Sequence, residues 1–160
     1  MISTLAIIGG GATGVGALMA AIQHEVAGSI YVIDPRPIGG VVFGTTDDEI
    51  ICNTSVDITT LDPDNEDDFL EYLKSRQLNV SKTSYTTRRI VGEYIKDRFD
   101  EYSEKAKLIG IDVKYLNFVC RKVLINNYKY QLVLSDRFRQ EELNAESVII
   151  CTGHGAPKVP

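Results

Sequence analysis

Three glycines and one acid carry the clearest chemistry in this sequence. Gly9, Gly11 and Gly14 stand at the spacing G-x-G-x-x-G within Gly9-Gly10-Gly11-Ala12-Thr13-Gly14. At that spacing the first glycine permits a tight turn and the second lets a pyrophosphate approach the backbone. The third lets a helix pack closely on a strand. Ala12 and Thr13 would lie in the turn just ahead of a helix, whose free N–H groups and positive dipole end suit a phosphate. Asp34 follows Gly14 by twenty residues, a separation that suits the hydroxyls of a ribose. An acid there disfavours a 2′-phosphate, so the expected ligand is FAD or NAD rather than NADP.

The flanking sequence supplies elements that could position these residues. Leu5-Ala6-Ile7-Ile8 reads as a buried parallel strand. Residues 15–26 read as a helix of small and apolar side chains. Residues 29–33 form a second strand, ended by Asp34-Pro35. Strand, glycine turn, helix and strand make a βαβ unit. Residues 35–61 are loop-rich, with Gly39-Gly40 and Gly44. A helix is predicted over 64–75, opened by Asp62-Pro63 and by acids in its first turn. A second is predicted over 90–109, stopped by Gly110. Residues 111–118 read as a strand. Residues 119–125 and 128–135 then form a hairpin around Asn126-Asn127, with a type I′ turn. A last buried strand, 147–151, runs into Thr152-Gly153-His154-Gly155. The expected fold class is α/β: a Rossmann-like parallel sheet with flanking helices and a β-hairpin or meander insertion. One dinucleotide-binding domain would span 1–160.

Several stretches together resemble the FAD-binding domain of glutathione-reductase-like two-dinucleotide flavoproteins. They are Ile7–Gly14, Asp34–Phe43 with Gly39-Gly40, Cys52-Asn53-Thr54, Arg88–Tyr94 as R-x-x-x-G-x-Y, and Val148–His154. The resemblance implies that Gly9, Gly11 and Gly14 bracket an FAD pyrophosphate and that Asp34, with Pro35 beside it, binds the adenosine ribose. It places Gly39, Gly40 and Asn53 along the extended flavin side and returns Thr152-Gly153 next to the cofactor. It also implies a flavin-dependent oxidoreductase or monooxygenase, with the redox chemistry done by the flavin. NAD(P)H fits as electron donor, although no second G-x-G-x-x-G is present.

The sequence departs from that architecture in one respect. Such flavoproteins usually complete the FAD site with a distal Gly-Asp segment, and no Gly-Asp pair occurs here. The chain is therefore expected to be the first portion of a flavoprotein, as a small subunit or fragment. A second subunit or a homo-oligomer would complete it, and an open apolar face would mark the contact. The alternative is a dinucleotide-binding sensor or scaffold module without catalysis of its own. No catalytic acid, base or nucleophile set stands out.

Composition limits the other classes. The 160 residues are 44% hydrophobic and 24% charged, with a net charge of −5, which argues against a nucleic-acid partner. Residues 1–73 hold one basic residue, Arg36, and twelve acidic ones, while the remainder hold sixteen and ten. Ten of the acids fall between Asp47 and Glu71. They read as a solvated loop and helix start, or as a docking surface for a basic partner. Cys52, Cys120 and Cys151 show no C-x-x-C spacing and read as buried thiols in a reducing compartment. His24 and His154 join no cysteine cluster, so no metal site is expected. The uncharged stretch 1–23 lacks a preceding basic residue and is broken by five glycines. It fits neither a signal peptide nor a membrane span, and a cytoplasmic protein is the expectation.

Overall fold

The glycine turn leaves the end of the first strand and runs directly into the first helix. The computed structural model describes residues 2–153; His154 and the residues after it lie outside that range. Strand β1 (Ile2–Ile8) leads into helix α1 (Ala12–Gln23) and then strand β2 (Ala27–Ile33). A one-turn helix α2 (Gly40–Phe43) and strand β3 (Ile51–Ser55) follow, then helix α3 (Asp68–Ser75), strand β4 (Tyr85–Thr87) and helix α4 (Arg88–Leu108). Strands β5 (Asp112–Leu116), β6 (Val119–Asn126), β7 (Lys129–Ser135), β8 (Gln140–Ala145) and β9 (Ser147–Ile150) complete the order.

The central sheet runs β5-β2-β1-β9 with every pairing parallel. Ile8 pairs with Ile33 on one side and Ile150 on the other, so three carboxyl ends finish level. The chain steps from β1 toward β2 on one side, and β9 lies on the other. In open α/β sheets this reversal is where ligands bind, outside the carboxyl ends of the strands.

Alternate residues of β1 and β2 face two different cores, which is why both strands read as unbroken apolar runs. Leu5, Ile7, Ile30 and Val32 pack with Leu18 and Met19 of α1 and Tyr94 and Ile95 of α4. Ala6, Ile8 and Ile33 pack on the other face against Leu132, Leu134 and Ala145 of the β6-β7-β8 meander. Removing a side chain such as Ile7, with no exposed surface, costs about 2–5 kcal/mol.

The α/β class, the parallel sheet and the meander are as the sequence predicts; several boundaries differ. Helix α1 begins three residues early, at Ala12, because the glycine loop passes into it without a break. Helix α3 begins at Asp68 rather than 64. Asp62 Oδ1 accepts from the N–H of Asp64 at 3.0 Å and Asn65 Oδ1 from that of Asp67 at 3.1 Å. These Asx turns occupy the segment that would otherwise be the first helical turn. The hairpin turn is centred on Asn127 and Tyr128, both at positive φ (47° and 63°), one residue past the expected pair. The observed register sets buried Leu132 opposite Val123; the expected one would have set it opposite Arg121. Cys52 is buried, but Cys120 and Cys151 are only half-buried.

Candidate functional site: a glycine-lined groove

A groove of about 360 Å³ opens at the carboxyl ends of β1, β2 and β9. Gly11, Ala12 and Thr13 line it from the glycine turn and the start of α1, and Gly39 and Gly40 from the second glycine pair. Asp34 and Arg36 line it after β2, and Cys151, Thr152 and Gly153 after β9. Residues far apart in sequence thus converge on one wall of backbone.

The glycines divide by role. At Gly9, whose φ is +119°, a Cβ would lie 2.2 Å from the Cys151 carbonyl oxygen; at Gly14 it would lie 1.8 Å from that of Gly9. Both are packing glycines that hold strand, turn and helix together, and neither lines the groove. At Gly11 a Cβ would meet nothing within 4 Å. The backbone there faces open space that a ligand group can fill, which is the fit a pyrophosphate requires. Gly11 also caps α1, which has no side-chain cap and no acid in its first turn. The leading N–H groups of the helix are left for an anion.

The second glycine pair is tied to the first. Gly39 and Gly40 both have positive φ (109° and 65°). The N–H of Gly39 donates to the Gly10 carbonyl at 2.9 Å, and a Cβ on Gly40 would lie 3.3 Å from Gly11 Cα. This contact delivers α2, with Val41, Val42 and Phe43, to the groove wall. Gly92 fixes α2 from behind, where a Cβ would lie 2.0 Å from the Phe43 carbonyl oxygen. That close approach explains the glycine of Arg88–Tyr94.

Asp34 is buried and bonded to its own chain. Its Oδ2 accepts from the N–H of Gly10 at 2.9 Å. Its Oδ1 accepts from the backbone N–H of Arg36 at 2.9 Å and from its Nε at 3.2 Å. The Tyr115 hydroxyl bonds to the Asp34 carbonyl at 2.8 Å and also to that of Arg36. Burial, then the Asp34 charge, holds the Tyr115 phenol in its protonated form to higher pH than usual. Burial likewise pushes the Cys151 thiol up, so it is not an activated nucleophile. Pro35 is exposed beside Asp34 and does not line the groove. Asn53 lies on β3, exposed and outside the groove lining.

Residues 6–155 match the family model described as FAD-NAD(P)-binding. The chain belongs to the FAD-NAD(P)-binding family. No curated protein sequence matches this family member significantly. Among solved structures it is similar to a flavin-containing monooxygenase from Stenotrophomonas maltophilia, at 15% identity and TM-score 0.63, covering 94% of this chain and 39% of that one. The bacillithiol disulfide reductase Bdr of Bacillus cereus aligns at 17% identity and TM-score 0.59, covering 94% and 40%. A flavoprotein/dehydrogenase from Cytophaga hutchinsonii aligns at 14% and 0.60, covering 96% and 40%. These likenesses show a shared fold, and the FAD-NAD(P)-binding chain spans about two-fifths of those structures' length.

Sequence reasoning marks Gly40 but neither Arg36 nor Val41, Val42 and Phe43 of α2 as part of the site. The spacing of Arg36 two residues after the strand-ending acid was the available signal for the first. Gly39-Gly40 ahead of Val41-Val42-Phe43 was the signal for the second. Among the described residues no cluster of three His, Cys, Asp or Glu could hold a metal, and no helix is long and apolar enough to cross a membrane.

Proposed function

We propose that the groove binds FAD through its pyrophosphate and adenosine, and that the chain is the FAD-binding part of a flavin-dependent oxidoreductase. The carrying observation is Gly11, whose missing side chain leaves open space at the uncapped start of α1. Gly9 and Gly14 would hold the turn in shape, and Gly11, Ala12 and Thr13 would meet the pyrophosphate. The Asp34–Arg36 end would take the adenosine. Gly39, Gly40, Thr152 and Gly153 would follow the cofactor toward its flavin. When bound, FAD supplies the redox chemistry, and these residues bind and orient it. NAD(P)H is the proposed electron donor.

A further polypeptide surface would close the site on the β9 side. Parallel strands are ordinarily covered on both faces, yet Ile149 and Ile150 of β9 are 37% and 66% exposed. Val41, on the groove wall, is 68% exposed. The groove volume is at the low end of the roughly 300–1,000 Å³ of small-ligand sites, and FAD is large for such a site. Flavin content and light scattering on one purified sample test this reading. It expects flavin retained by a complex larger than one chain, and flavin reduction on adding NAD(P)H. A monomer that never takes up FAD would contradict it. Uptake of FAD without reduction, alone or in a complex, would favour a non-catalytic binding module.

A further inference from the structure

Strand β9 is an outer strand without a guard. Among the described residues it pairs with β1 alone, so one margin of its backbone is open to a further strand. The other sheet margins are blunted by charge or irregularity, the usual defences against such pairing. At the opposite edge of the central sheet, β5 carries exposed Asp112 and Lys114. In the meander, β6 has a register shift between Cys120 and Lys122, and β8 carries Glu141 and Glu142. The pairing of β3 with β4 is also irregular. Strand β9 reads Ser147-Val148-Ile149-Ile150 in unbroken register with β1, and it holds neither charge nor proline. Ile149 is level with Ile7 and faces the side of α1 and α4, while Ile150 is level with Ile8 and faces the meander. Both are exposed, although parallel strands are ordinarily covered on both faces.

We propose that β9 pairs with β9 of a second copy of this chain, joining two central sheets into one. A two-fold axis between identical strands makes the pairing antiparallel. With Ile149 opposite its own counterpart, Val148 stands opposite Ile150, and Ser147 opposite Cys151. Each of these pairs is uncharged, and apolar side chains meet on both faces, which is what a self-complementary edge requires. Glu146, the acid just before the strand, is held by the N–H of Ser3 and by Lys129 of its own chain. The proposal rests on the reading that another polypeptide closes the groove on the β9 side, and it names that polypeptide. Cys151, Thr152 and Gly153 continue from β9 onto the groove, so the pairing sets the second copy beside each site.

Light scattering on the whole chain without cofactor should give the mass of two chains. Ile149→Lys sets two like charges against each other at the axis and should raise the dimer dissociation constant by about tenfold or more. Far-UV circular dichroism should stay that of the folded chain, because this side chain already meets water. Mixing Ile149→Lys with Ile149→Glu should restore the dimer, a rescue that general loss of folding cannot produce. If either variant unfolds, Ile150→Lys, on a side chain mostly in water, should dissociate the dimer instead. A parent that is monomeric at every concentration, a dimer that these variants leave intact, or a Lys and Glu mixture that stays monomeric would overturn the proposal. FAD uptake by a monomeric parent would overturn it and leave the dinucleotide reading standing. A dimer that responds to the variants as expected yet never takes up FAD would keep the pairing, and the dinucleotide reading would fall.

Discussion

The groove and the layer formed by α3 and α4 handle charge in opposite ways. The groove is walled largely by backbone, and its free donors are N–H groups and one guanidinium. The helical layer is built from side chains that satisfy one another. Arg98 donates to both carboxylate oxygens of Asp68, at 2.7 and 3.1 Å, and the Tyr94 hydroxyl donates to Asp68 as well. Arg98 lies over the rings of Tyr72 and Tyr94, at 5.7 and 5.4 Å. Asp67 pairs with Lys82 at 2.6 Å, and Asp48 with Arg89. Part of the acidic stretch 47–71 is thus neutralised by residues 82–98 of the same chain. The contrast teaches that a charge bias along a sequence can record folding against itself. A run of residues without side chains, by comparison, can record a place kept for something else.

The largest effect that would sharpen this contrast lies in the helical layer. Asp68→Ala removes two bonds from the Arg98 guanidinium, whose side chain is 17% exposed, leaving it the Glu101 carboxylate alone, and it takes the acceptor from the buried Tyr94 hydroxyl; it should cost about 3–5 kcal/mol in denaturant unfolding. A loss below about 1 kcal/mol would mean that water already screens the pair. Next comes Gly14→Ala. Its Cβ would press on the Gly9 carbonyl, an overpacking that costs about 1–3 kcal/mol or more. An unchanged melting temperature for Gly14→Ala would break the division between packing and ligand-facing glycines.

A smaller effect concerns alkaline pH. Burial, then Asp62, pushes the Tyr102 phenol from 10.0 up to about 12. Burial, followed by the carboxylates Asp97 and Asp68 respectively, raises Tyr72 and Tyr94 as well. Over pH 10–12 the unfolded chain loses these protons while the folded chain keeps them, so stability falls as pH rises. Thermal melts across that window should show the fall, reduced in Tyr102→Phe; a flat profile would argue against buried, acid-bonded phenols. Smallest of all, Lys96→Ala removes an exposed pair with Asp100 and should cost less than about 0.5 kcal/mol. A cost above 1 kcal/mol in the same melts would mean that the exposed pairs matter as much as the buried one.

Much of the groove is legible in the sequence because it is a matter of backbone. A glycine at position 9, 11 or 14 reports what the chain does there, and Gly39-Gly40 does the same. The apolar runs of β1 and β2 are legible because both faces of a parallel sheet are buried. What could not be read depends on contacts between distant segments. Strands β3 and β4 are short and separated by the whole of α3, so neither carries a periodic signal. Asp62 and Asn65 compete for the start of α3 through their side chains, which composition alone does not reveal. Asp34 is visible as an acid at the right distance. Whether its carboxylate faces a ligand depends on Gly10 and Arg36, and only the folded chain shows both bonded to it.

The central claim is that the groove is a dinucleotide site whose decisive feature is the bare backbone at Gly11. FAD titration of the parent and of Gly11→Ala, each with its melting temperature measured, tests it most directly. The account predicts equal melting temperatures, because a Cβ at Gly11 meets nothing within 4 Å of protein. It predicts an FAD dissociation constant about tenfold or more higher for the variant, because that methyl group occupies the space the pyrophosphate needs. Equal affinity at equal stability would contradict it.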